Sequence, residues 1–221
     1  MMKTIGVLDL QGGVHEHMDH LEQLGVPAVR VKTKRDFKGL CGLIIPGGES
    51  TCLARLLRIF ELDTVILREY HNGLKLWGTC AGAILVAHEI RGEAPHLDLM
   101  NITVERNAFG SQLDSFSTTE SVPDVSPEPI PLTFIRAPQI VAAGDDVKVL
   151  LRLKGFIAAA ESETILATVF HPELTPSLAF HRYFACKCGV LTASDVADSV
   201  TGWSRKSWMR QARGKHKPEG R

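Results

Sequence analysis

Cys80 stands where a cysteine can act as a nucleophile. In Leu76-Trp77-Gly78-Thr79-Cys80-Ala81-Gly82 a strand-like run enters Gly-x-Cys-x-Gly, and a helical stretch follows. Small residues on both sides let the chain reverse sharply and hold the thiol at the strand's carboxyl end, the cysteine form of a nucleophile elbow. The helix that starts there points backbone N–H groups and its positive dipole end at the sulfur, and both favour thiolate over thiol. The competing reading is a buried cysteine at a tight turn. A thiolate also needs a base that later protonates a leaving amine. Phe170-His171-Pro172-Glu173 supplies one. His171 follows a late strand and Pro172 stiffens the turn. Glu173 is placed to hold one imidazole nitrogen while the other faces the sulfur. Cys80, His171 and Glu173 are therefore the expected triad.

A developing oxyanion needs donors. Ile45-Pro46-Gly47-Gly48-Glu49-Ser50-Thr51 closes a strand and opens a helix, and its two glycines allow close backbone approach. The N–H of Gly48 and that of Ala81, just after the nucleophile, are the expected oxyanion hole. A phosphate loop is the rival reading, but no Gly-Lys-Ser/Thr follows, and Glu49 repels phosphate. A carboxylate here suits an ammonium group, such as that of an amino acid.

The elements that must position these groups show in the apolar pattern. Strands are expected at Ile5 to Leu10, Ala28 to Val31, Gly42 to Ile45 and Leu74 to Trp77. Helical stretches are expected from Val14 to Leu24 (stopped by Gly25), from about Ser50 to Tyr70 and from Ala81 to Glu89. Apolar strands separated by helices imply a parallel sheet covered on both faces. The second half is richer in strands: Asn101 to Glu105, Leu132 to Ile135, Val147 to Leu153, Phe156 to Ala160 and Ile165 to Phe170. Val122 to Pro131 reads as a loop, and a helix is expected after Pro176. The spacing predicts one α/β domain over 1–188 and a basic tail over 189–221.

Composition narrows the classes. The 221 residues carry 25 Lys+Arg against 25 Asp+Glu, so no global field attracts nucleic acid or an anionic membrane. No apolar run is long enough to span a bilayer. The first residues enter a strand-like run without the apolar core and cleavage site of a signal peptide, so a cytoplasmic location is expected. Five cysteines, an odd count, argue against a disulfide framework. Cys186-Lys-Cys188 lacks a second Cys/His pair to complete a zinc site. From Thr201 to Arg221 there are seven Lys/Arg and one acidic residue, with Trp203 and Trp208. That stretch reads as a solvated tail, or alternatively as a contact surface for a partner.

Pro-Gly-Gly-Glu-Ser, Gly-Thr-Cys-Ala-Gly and Phe-His-Pro-Glu-Leu, in this order, resemble the class I (triad) glutamine amidotransferases. Leu10-Gln11-Gly12-Gly13-Val14, Glu16-His17, Val104-Glu105-Arg106-Asn107-Ala108-Phe109-Gly110 and Phe134-Ile135-Arg136-Ala137-Pro138 narrow the resemblance further. They look like the glutaminase subunits of pyridoxal 5'-phosphate synthase, the PdxT/SNO family. The resemblance spans roughly Thr4 to Ala185. It implies a flavodoxin-like three-layer sandwich with a mostly parallel central sheet. It also implies a glutaminase that yields glutamate and ammonia through a γ-glutamyl thioester, with no cofactor and no metal. The ammonia would pass to a separate (β/α)8-barrel synthase subunit that builds the vitamin B6 cofactor. Carried over by motif, L-glutamine contacts fall on Gly48, Glu49, Ser50, Arg106, Ile135 and Arg136. The two arginines also suit a substrate carboxylate on chemical grounds. His15, Glu16, His17 and His20 suggest a metal site by type, but they lie in the family's non-metal Gln-Gly segment.

The chain departs from the family pattern at Asp9, at Ser111, at Ala160-Glu161-Ser162 and beyond Cys186, where the resemblance offers no counterpart. Other functions fit less of the sequence. A glutaminase for another synthase, such as the imidazole glycerol phosphate system, would lack the Val-Glu-Arg-Asn and Ile-Arg-Ala-Pro segments. A catalytically silent partner that regulates a synthase would have no need of a full triad. A redox thiol protein leaves Glu49, Arg106 and Arg136 unexplained.

Overall fold

The computed structural model describes residues 3–106 and 115–191. Its strands in chain order are β1 (Thr4–Leu8), β2 (Ala28–Val31), β3 (Leu40–Ile45), β4 (Lys75–Thr79), β5 (Ala87–Ile90), β6 (Met100–Glu105), β7 (Ser115–Glu120), β8 (Ile130–Ile135), β9 (Gln139–Ala143), β10 (Lys148–Leu153), β11 (Phe156–Glu161) and β12 (Ile165–Thr168). The helices are α1 (Val14–Gln23), α2 (Ser50–Ile59), α3 (Leu62–His71), α4 (Ala81–Val86) and α5 (Ala179–Lys187). The main sheet runs β2-β1-β3-β4-β12-β11-β9-β6-β5, with β10 paired to β11. From β2 through β12 every neighbour is parallel. β11, β9 and β6 then continue antiparallel, and β5 lies parallel to β6 at the edge. β7 and β8 form a separate antiparallel hairpin.

Alternation along β4 settles the layers. Trp77 packs on Phe180 and Phe184 of α5, whereas a side chain at Gly78 would meet Gly82 and Ala83 of α4. Successive strand residues point to opposite faces, so α5 and α4 cover opposite sides of the sheet. α1 packs with α5, and α2 packs with both α3 and α4. This is the expected three-layer α/β sandwich. Burial on both faces explains why β3 and β12 read as unbroken apolar runs (Leu43, Ile44, Ile45; Ile165, Leu166, Ala167). Gly25 takes a φ of 65°, and the Val26 N–H reaches back to the Leu21 carbonyl at 2.9 Å, which ends α1 where the sequence placed its stop.

Three elements differ from expectation. The helix expected over Ala81 to Glu89 stops at Val86, and Ala87–Ile90 forms β5. His88 and Glu89 are exposed there while Ala87 and Ile90 are buried, and β6 supplies the backbone partners. β7 was not anticipated, because its Ser-Phe-Ser-Thr-Thr-Glu alternates exposed and half-buried positions with no fully buried face. β9 was missed as well. The stretch expected as a loop over Val122 to Pro131 yields its last two residues to β8, and it buries Val122 and Val125. No helix among the described residues is long and apolar enough to cross a membrane. None of the five cysteines is in a disulfide. Val190 and Leu191 still pack on the core. Ser111, Asn107 to Gly110 and the tail from 192 onward lie outside the described residues.

Candidate active site

The carboxyl ends of β1, β3, β4 and β12 converge on Cys80. Its φ of 49° and ψ of −106° lie where side chains are disfavoured, so the elbow stores backbone strain. Neighbouring packing holds it there. The Cys80 N–H donates to the Thr168 carbonyl at 2.8 Å, tying the turn to β12. A Cβ at Gly82 would lie 2.0 Å from the Ile45 carbonyl oxygen, and one at Gly78 would lie 2.4 Å from Gly82 backbone atoms. Both flanking glycines are therefore demanded by close backbone approach. The thiol is buried and sits 3.9 Å from the Ile135 carbonyl at the end of β8.

His171 leaves β12 toward the same point. Its N–H donates to the Thr133 carbonyl of β8 at 2.8 Å, so the hairpin fixes the start of the turn. His171 Nδ1 lies 2.8 Å from Glu173 Oε1, so the ionised carboxylate takes the Nδ1–H, and the same ring hydrogen-bonds the Cys80 side chain. A Cβ on Gly47 would stand 2.5 Å from His171 Cε1 and 3.2 Å from Cys80 Cβ, so the glycine loop packs on both. Burial alone would push His171 down. The Glu173 charge, hydrogen bonds to Cys80 and Glu173 and the charge on Cys80 outweigh it and hold His171 well above its ordinary value. Burial likewise pushes the Glu173 carboxyl up. The influence of His17 and His171, the His171 hydrogen bond and its own backbone N–H overcome this and hold it at about 2. Cys80, His171 and Glu173 are thus brought together.

The glycine loops mesh. Gly12 has φ +92°, and a Cβ there would lie 1.8 Å from the Gly47 carbonyl oxygen. Gln11 Oε1 accepts the Glu49 N–H at 3.0 Å, beside Gly48 at φ +152°. Ser50 is buried as the first residue of α2, and Ala81 is the first residue of α4. Glu49 is the N-cap of α2: it accepts the Thr51 N–H at 3.0 Å and the Cys52 N–H at 2.6 Å. Desolvation, the largest single influence, raises its carboxyl, but these N–H groups, the Thr51 hydroxyl and Arg106 together outweigh it and hold the group below the ordinary range.

Arg106 is already engaged. Its Nη1 donates to both carboxylate oxygens of Glu93 at 3.0 and 2.9 Å and to Thr51 Oγ1 at 3.2 Å, and Nη2 reaches Glu49 at 3.3 Å. Ile135 and Arg136 end the hairpin as exposed residues, Arg136 at φ 44°. A cavity of about 820 Å³ opens between α1 and the hairpin. Gly47, Gly48, Ile135, His171 and Glu173 line it, but Cys80, Glu49, Arg106 and Arg136 do not. Sequence reasoning missed Glu93 and the contact of Gln11 with Glu49. Gln11 was visible in the Gln-Gly-Gly motif, whereas Glu93 carried no local signal. Among the described residues no group of three or more His, Cys, Asp or Glu is arranged to hold a metal ion.

The model of the SNO glutamine amidotransferase family matches residues 7–190. The chain is 57% identical over 211 residues to pyridoxal 5'-phosphate synthase subunit PdxT of Syntrophus aciditrophicus (strain SB), covering 95% of this chain and 94% of that one. It is 50% identical over 188 residues to the subunit of the same name from Clostridium botulinum (strain Loch Maree / Type A3), covering 84% and 97%. A match over 95% of the chain runs well past Cys188, so the segment for which the resemblance offered no counterpart has one in the Syntrophus protein. A crystal structure of glutamine amidotransferase superposes with a TM-score of 0.79 at 42% identity, covering 84% of this chain and 99% of that one.

Proposed function

This chain belongs to the SNO glutamine amidotransferase family, and from that premise we propose that it hydrolyses L-glutamine for a pyridoxal 5'-phosphate synthase. The Cys80 thiolate attacks the side-chain amide carbon. N–H groups of Gly48 and Ala81 take the oxyanion, and His171 Nε2–H gives its proton to the departing ammonia. The resulting γ-glutamyl thioester is cleaved by water, which His171 deprotonates, releasing glutamate and the thiol. Glu173 holds the imidazole and stays ionised throughout. The observation that carries this reading is the 2.8 Å contact of His171 with Glu173 beside a strained cysteine elbow.

Glutamine's α-amino and α-carboxylate groups meet the Glu49–Arg106 edge, with Ser50, Ile135 and Arg136 around it. Because Glu93 and Glu49 hold the Arg106 guanidinium, its substrate contact uses the N–H groups those carboxylates leave. The ammonia passes to a (β/α)8-barrel synthase subunit, and the glutaminase unit expected over 1–188 extends to Val190 and Leu191, which pack on its core, with the basic tail after them. The test is glutamine hydrolysis with and without that barrel subunit. Cys80→Ala should abolish turnover, and a glutamine-like electrophile should add once, on Cys80. Adducts mainly on Cys52 or Cys186 would remove Cys80 from the chemistry. Absence of hydrolysis with the barrel bound would leave a silent regulator.

A further inference from the structure

Behind the candidate triad lies a buried row of histidines that the reaction above does not use. His17 and His20 stand one turn apart on α1, and His181 faces them from α5; none is more than 1% exposed. His17 Nδ1 lies 2.8 Å from His181 Nε2, and His181 Nδ1 lies 3.1 Å from His20 Nδ1. At the near end His17 Nε2 stands 3.5 Å from Glu173 Oε2 and 3.4 Å from the Thr79 hydroxyl. Glu173 Oε2 has no hydrogen-bond partner, since Oε1 takes His171 and His17 Nε2 approaches only to 3.5 Å, within ion-pair range but short of a formed hydrogen bond. Trp77 packs edge-on against His181 at 4.9 Å and against His17 at 5.7 Å, which fixes the ring planes.

Proton counting gives the row a direction. A neutral imidazole has one donor nitrogen and one acceptor, and a carboxylate only accepts. An Nε2 lone pair on His17 would face the lone pairs of Oε2, so the His17 proton sits on Nε2. Its Nδ1 then accepts from His181 Nε2–H, and His181 Nδ1 accepts from His20 Nδ1–H. Every donor then points toward Glu173, and the bare acceptor is left at the far end, on His20 Nε2, where the ring lies beside the Thr175 backbone without a well-formed hydrogen bond. The two contacts of His181 use opposite sides of its ring, so the nitrogens form a line and do not converge as metal ligands would.

We propose that His17, His181 and His20 are positioning residues, a one-directional hydrogen-bonded chain that aims an N–H at the second oxygen of Glu173 and so fixes the carboxylate that aligns His171. This inference rests on the triad reading of Cys80, His171 and Glu173. Burial keeps the three rings neutral: it pushes His17 down, His20 to about 4 and His181 well below the ordinary value. His17 therefore acts on Glu173 through an N–H donor, not a full charge. The groups that face Glu173 are His171 from its own turn and His17 and His20 from α1. Glu173 and Cys80, the latter from the elbow, face His171, and His17 and His20 face His181. A carboxylate with one oxygen stranded would turn to find a donor and release the imidazole; the chain removes that freedom.

The experiment compares His181→Leu with His181→Gln in the full-length chain bound to its synthase subunit. Leu fills the space without polar atoms, whereas the Gln amide can donate toward His17 and accept from His20. His181→Leu should lower kcat roughly 10- to 100-fold with KM unchanged, the worth of one hydrogen bond to a charged group. The His171 imidazole, followed by NMR in the same full-length protein, should lose its proton at lower pH than in the wild type. His181→Gln should recover most of both effects. If His181→Leu does not fold, His20→Asn at the far end takes its place, with a smaller loss in the same direction. A lowered melting temperature with wild-type kcat and wild-type His171 titration would overturn the proposal and leave the histidines as packing. If the wild type hydrolyses no glutamine, the triad reading falls, but the His171 titration still tests the chain.

Discussion

At the scale of single residues the site is built by spending backbone freedom. Cys80 sits at φ 49° and ψ −106°, a conformation that costs about 1–3 kcal/mol for a residue with a Cβ. Cys80→Gly and Cys80→Ala should both abolish hydrolysis, but urea melts should show the glycine variant about 1 kcal/mol more stable, because only glycine is released from that strain. Equal stability would mean that the elbow is relaxed. Glu49 shows how one side chain carries two duties. Its carboxylate caps α2 and also holds Arg106. Glu49→Gln should therefore lower kcat/KM by about 1–3 kcal/mol and cost about 1 kcal/mol of stability at the same time. Kinetic loss without loss of stability would assign Glu49 to substrate alone.

Among the elements, the loops after β1 and β3 act as one body, because Gly12 leaves no room between itself and the Gly47 carbonyl. A side chain at position 12 must displace the Gly47–Gly48 peptide, and with it the proposed oxyanion donor. Gly12→Ala should reduce kcat roughly 10²–10³-fold, the worth of one such donor, while glutamine KM changes little. A barrel subunit that presses on this loop would act on the same peptide, so free and synthase-bound chains should differ in kcat. Equal turnover by both at saturating glutamine would rule that out. The sequence showed both loops because Gln-Gly-Gly and Pro-Gly-Gly-Glu are short and contiguous. It did not show β7, whose Ser and Thr residues bury no face, or β5, whose first residue Ala87 follows the apolar run of α4 with no turn residue between them. Nor did it show that Glu93 grips Arg106 or that His181 meets His17, since those contacts depend on how distant segments dock. The proposed triad was legible because an elbow and a His-Pro-Glu turn encode their geometry locally.

Over the whole molecule, the buried histidines make the fold sensitive to acid. His20 is held neutral to about pH 4, whereas in the unfolded chain it takes a proton near 6.5. A folded-state pKa below the unfolded one means that the unfolded chain binds more protons in between. The stability from His20 is thus complete above about pH 6.5 and is lost as pH falls toward 4, with about 3 kcal/mol at stake. His17 and His181 shift the same way and add to the loss. His171 has the opposite sign, raised when folded, so its contribution holds below about 6.5 and fades as pH climbs through its folded value. Denaturation midpoints measured from pH 7.5 to 4.5 should fall steeply in the wild type and less steeply in His20→Leu. Parallel curves would mean that the cluster takes up protons without unfolding.

The glycines at 12, 47, 78 and 82 leave no space for a methyl group at the floor of the site: each added carbon would land within 2.5 Å of another atom. That floor limits how the enzyme can be redesigned. A randomised library at these four positions should return glycine among its active clones. Changes that widen the range of amides accepted should come instead from the rim, at Ile135 and Thr133 on the hairpin, where a new side chain displaces solvent and leaves the backbone in place. Substrate range and turnover should therefore drift independently under directed evolution, the first through the hairpin and the second hardly at all.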